Sequence, residues 1–75
     1  MRQLITAGIR ARLPLSRIAQ LWQDFHQQRQ ADPRCDRFDL ATYQDPRRPD
    51  AQRIWVKIDP YPDGPVATMF LSDEY

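Results

Sequence analysis

The chain has 75 residues, a formal net charge of +1, 41% hydrophobic residues and a single cysteine. That length allows one domain, of a size that buries only about 60% of the surface its unfolded chain exposes, and the lone Cys35 excludes an internal disulfide as a staple. One histidine and one cysteine cannot make a structural zinc site, and no run approaches the roughly 18 apolar residues of a membrane span.

These limits describe a soluble, cytoplasmic domain with no metal or other cofactor, for which pairing with a second copy is the expected source of added stability. Charge is unevenly spread: residues 1–37 carry seven Arg against three Asp, and residues 38–75 carry four basic against seven acidic groups. The imbalance falls short of the basic footprint of a nucleic-acid binder.

From Leu4 to Leu13, Ile5, Ala7, Ile9, Ala11 and Leu13 alternate with Leu4, Thr6, Gly8, Arg10 and Arg12, which predicts a half-buried strand. Pro14 closes it, and Ser16 is the expected N-cap of a helix. In that helix Ile18, Leu21, Trp22 and Phe25 fall at i, i+3, i+4 and i+7, one apolar stripe. It is expected to end at about Arg29 or Gln30, before Asp32-Pro33. Arg37 to Tyr43 alternates again, with Phe38, Leu40 and Thr42 on one face and Asp39, Ala41 and Tyr43 on the other. The loop Asp45-Pro46-Arg47-Arg48-Pro49-Asp50 then joins it to the clearest strand, Arg53 to Asp59, whose Ile54, Val56 and Ile58 share a buried face. Pro60 to Pro65 makes a second break, and Val66 to Leu71 is expected as an edge strand or docking segment.

The order strand, helix, strand, strand predicts a small α+β two-layer sandwich, one helix on an antiparallel sheet, with a possible fourth strand at Val66–Leu71. The opposite sheet face would carry Arg10, Arg12, Tyr43, Arg53, Trp55 and Lys57.

Two segments resemble the first half of gyrase-inhibitor-like (GyrI-like) effector-binding domains. Gly8-Ile9-Arg10 matches the Gly-hydrophobic-Arg step of that family's opening strand, and Ile18-Ala19-Gln20-Leu21-Trp22-Gln23-Asp24-Phe25 matches the Ile-x-x-Leu-Trp-x-x-Phe pattern of its helix. The resemblance spans roughly residues 4–59. It implies one strand-helix-strand-strand module of a fold that uses two such modules to enclose an aromatic-lined groove for aromatic or cationic compounds. Since this chain holds one module, two copies would have to pair, through Val66–Leu71, to rebuild the groove.

Trp22 reads as core, because an indole at helical spacing with Ile18 and Phe25 packs inward. Trp55 is sent by alternation to the polar face, where a large aromatic group calls for a partner. Tyr43, Tyr61 and Phe70 are candidate neighbours, and Arg10 and Arg53 candidate polar contacts. His26 has no second ligand at metal spacing, and Cys35 no base, so no catalytic or metal-binding residue is expected. The leading expectation is a non-catalytic, homodimeric binding module for a small aromatic or cationic ligand or another protein. The alternatives are a phage or mobile-element inhibitor that blocks a host protein by surface contact, and weak nucleic-acid binding on the Arg/Trp face.

Overall fold

The first strand is less than half as long as its alternating pattern suggests. In the computed structural model, which describes residues 1–74, β1 covers only Arg2–Ile5, and the chain then enters helix α1, Ala7–Arg12. The apolar positions Ile5, Ile9 and Leu13 are four apart, a spacing that satisfies a two-residue and a 3.6-residue period alike. What decides between them is the pair Ala7 and Ala11, both exposed, together with Thr6, whose hydroxyl caps the helix by accepting from the Ile9 N–H. The expected strand from Leu4 to Leu13 is therefore replaced by a short strand and a capped helix, and Arg10 and Arg12 stand on α1, not on the sheet.

Helix α2 covers Leu15–Ala31. Its N-cap is Pro14 rather than Ser16: the Pro14 carbonyl accepts from the N–H groups of Arg17 and Ile18, and no side chain caps the end. The helix runs just past the expected end and stops at Asp32, immediately before Pro33. Ile18, Leu21 and Phe25 are buried. Phe25 meets Phe38 edge to face at 5.1 Å, and Trp22 packs edge to face on Phe25 at 5.5 Å, half-buried at the margin of the core.

Strands β2 (Arg37–Tyr43), β3 (Gln52–Asp59) and β4 (Val66–Leu71) form an antiparallel meander, and β1 joins it alongside β4 in parallel, giving the order β1-β4-β3-β2. β4 is consequently interior to the sheet and not an edge. Five of its six residues are buried, which suits a strand with neighbours on both sides. The tight turn before it uses Gly64 at φ +120°, a backbone region open to glycine, with the Gly64 N–H bonded to the Tyr61 carbonyl at 2.9 Å.

Residues paired across a ladder project to the same side of a sheet. On the helix side, Phe38, Val56, Met69 and Ile5 make one cross-strand row, and Ala41, Ile54 and Leu71 the next. These rows and the buried residues of α1 and α2 form the core. A bulge at Leu40 breaks the β2 alternation, so that Leu40 and Ala41 both pack against the core.

Candidate functional site

Neither helix covers the other side of the sheet. Its rows are Asp59–Val66–Arg2, Arg37–Lys57–Thr68–Leu4, Asp39–Trp55–Phe70 and Thr42–Arg53. Trp55 and Phe70, directly opposed across β3 and β4, pack edge to face with ring centroids 5.9 Å apart. This is a favoured aromatic geometry. Phe70 is only 9% exposed, and Trp55 is half-buried. Beside them lies an open groove of about 440 Å³ bordered by Arg37, Asp39, Trp55, Lys57 and Phe70, with Phe38 and Val56 beneath.

The charges of this face are sorted by the strand register. Arg53 holds Asp39 through two nitrogens, with Nη2 at 2.8 Å and Nε at 3.0 Å from Oδ1, and also donates to the Thr42 hydroxyl. Lys57 lies 3.4 Å from Asp59, two positions along the same strand. Arg37 and Lys57 face each other across the β2–β3 ladder, two cations side by side at the groove.

Of the residues singled out from sequence, Trp55, Phe70 and Arg53 are brought onto this face together. Tyr61 belongs to its far margin: it is 56% exposed and shares a second cleft, of about 190 Å³, with Leu4 and Val66. Tyr43 does not join them. The Leu40 bulge turns it to the helix side, where it packs against the core. Arg10 is exposed on α1 and contributes nothing to the sheet surface. Asp39 lies among the positive charges of this face, as expected from alternation, and the register adds Arg37, which sequence reasoning did not single out; alternation alone gives its side of β2 but not what stands opposite.

A second cluster lies at the 3₁₀ turn Ser72–Glu74. The Glu74 carboxylate accepts from the Thr6 hydroxyl at 2.7 Å and from the N–H groups of Gly8 and Leu71, both at 3.0 Å. Partial burial opposes ionisation of this carboxyl, but the hydrogen bonds from Leu71, Thr6 and Gly8 outweigh it and hold its pKa below the ordinary glutamate value. Next to it, Asp73 Oδ2 takes Arg12 at 3.0 Å and Arg48 at 3.6 Å. Both carboxylates of this cluster are engaged with other parts of the chain, so it joins the turn to α1 and to the β2–β3 loop.

Among the described residues no group of three or more His, Cys, Asp or Glu side chains is placed to hold a metal ion. Cys35 donates its thiol to the Arg37 carbonyl, and the Gln3 side-chain amide lies 2.6 Å from His26 Nε2. No helix among the described residues is long and apolar enough to cross a membrane.

The arrangement defines a small two-layer α+β domain with a mixed four-stranded sheet and an aromatic-centred face opposite its helices. Comparison of the chain with family models, curated proteins and solved structures finds no match.

Proposed function

We propose that this chain is a non-catalytic binding module that works through the helix-free face of its sheet, as a homodimer. The observation that carries the reading is Trp55 at the centre of that face, packed edge to face on Phe70 beside a groove large enough for a small molecule. The extent of the surface supports it as well. The chain exposes 5309 Å², against about 4,800 Å² expected for a monomer of its mass. Its radius of gyration is 12.5 Å, against about 11 Å for a compact chain of this length.

The gyrase-inhibitor-like version of this reading joins two chains into one ligand groove. The helix pattern from Ile18 to Phe25 is on α2, and Gly8-Ile9-Arg10 falls in α1 rather than in a strand. Edge pairing through Val66–Leu71 is closed, since β1 and β3 already flank β4. Two copies would instead meet through their open faces.

The test is light scattering across a dilution series for the wild type and for Trp55→Ala. A wild-type dimer that dissociates in the variant supports the proposal, whereas a wild type monomeric at every concentration overturns its homodimeric part. A dimer that is indifferent to Trp55→Ala moves the interface away from this face.

A further inference from the structure

Resting on that reading of the open face, we infer that the groove takes a small planar aromatic anion, its ring against Trp55 and its negative group between Arg37 and Lys57. The charges that border the groove are not balanced. Like charges placed directly opposite across an antiparallel ladder repel and destabilise the sheet, yet Arg37 and Lys57 are register partners and border the same groove.

The carboxylates of the face relieve that juxtaposition only on the side of Lys57, and weakly. Asp39 is committed to Arg53, which grips it through two nitrogens. Asp59 reaches Lys57 only at 3.4 Å, in a pair whose side chains are 39% and 37% exposed, and such a pair contributes little. Arg37 makes no ion pair among the described residues. The groove therefore offers a cationic end and an aromatic wall, with its one bordering carboxylate, that of Asp39, already neutralised.

That combination selects by charge. An aromatic carboxylate places its oxygens beside Arg37 and beside Lys57, whose pair with Asp59 is largely exposed, and a guanidinium can hold both oxygens at once. An aromatic cation of the same size meets two like charges instead. The groove has one pair of cations and the chain a net charge of +1, so it lacks the extended basic track by which single-stranded nucleic acid is held. A small ligand is the occupant that fits.

The experiment is an amide-resonance NMR titration of the full chain with naphthoate, naphthylmethylammonium and naphthylmethanol, three probes that share one ring system and differ in charge. Naphthoate is expected to shift the resonances of Arg37, Trp55 and Lys57 and to bind about tenfold tighter than the ammonium probe, the scale of one charge-assisted hydrogen bond. Arg37→Gln should erase that preference and leave naphthylmethanol unaffected. Lys57→Gln should weaken it in the same direction. Both substitutions are on the sheet surface, and the undisturbed remainder of the spectrum reports that the variants fold.

The inference is overturned if the ammonium probe binds as tightly as naphthoate, or if Arg37→Gln leaves the preference intact. It is overturned in favour of nucleic acid if oligothymidylate displaces naphthoate at physiological ionic strength. If none of the probes moves the groove resonances the inference also fails, while a dimer sensitive to Trp55→Ala would leave the binding-module reading standing.

Discussion

The carboxylate of Glu74 occupies the space above Gly8 that any other residue would need for its side chain: a Cβ on Gly8 would fall 2.4 Å from the Glu74 carboxyl carbon. Gly8 is thus fixed by packing across the fold, since a helix interior by itself favours alanine. Gly8→Ala gains about 1 kcal/mol of helix propensity but displaces a carboxylate that accepts three hydrogen bonds. The expected net result is a loss of about 1–2 kcal/mol. Urea unfolding of Gly8→Ala, Glu74→Gln and the double variant checks this, and the double variant should cost little more than Gly8→Ala alone, because the same bonds are removed twice.

The lowered Glu74 pKa sets the sign of a pH dependence. A carboxyl group whose folded-state value lies below its unfolded one stabilises the fold fully above the ordinary value of 4.5, and that contribution fades as pH falls through the folded-state value. Stability curves of the wild type should therefore drop more steeply on acidification than those of Glu74→Gln. Parallel curves for the two proteins would show that this carboxyl is not the source.

Phe25 is fully buried, between Trp22 on its own helix and Phe38 on β2. Truncating such a side chain costs about 3–5 kcal/mol. A domain of this size has about 4–11 kcal/mol in total, so Phe25→Ala should lie close to the unfolding threshold at room temperature. Trp22→Phe, at the half-buried margin, should cost clearly less. Thermal denaturation of both variants separates the core position from the marginal one.

On the open face the Arg53–Asp39 pair is short, yet its side chains are 45% and 53% exposed. Asp39→Asn should change stability by no more than about 1 kcal/mol. Its larger effect falls on the groove, which becomes more positive, so naphthoate should bind the variant more tightly than the wild type. The same titration reads both the direction and the site.

Much of the architecture could be read from patterning, because β3 and α2 each keep one period along their length and β2 keeps its own up to the bulge at Leu40. The opening segment misled for a physical reason: Ile5, Ile9 and Leu13 fit a strand and a helix equally, and only a contact from Thr6 to Ile9 and the exposure of Ala7 and Ala11 separate the two. The place of β4 depends on pairing with β1 across most of the chain, which no local pattern carries. At the candidate site, Trp55, Phe70 and Arg53 follow from alternation. Tyr43 does not, because one extra residue at the Leu40 bulge reverses every side chain after it. The opposition of Arg37 to Lys57 is a property of register, invisible until both strands are aligned.

The parallel seam between β1 and β4 also dictates an order of assembly. The meander from Arg37 to Leu71 closes through successive neighbours, whereas Arg2 must find Val66 across nearly the whole chain. Joining distant segments carries the larger loop-closure entropy and slows folding. During synthesis the first strand therefore waits, with Leu4 and Ile5 undocked, until β4 has been made. The strand that precedes both helices is among the last elements to reach its final neighbour.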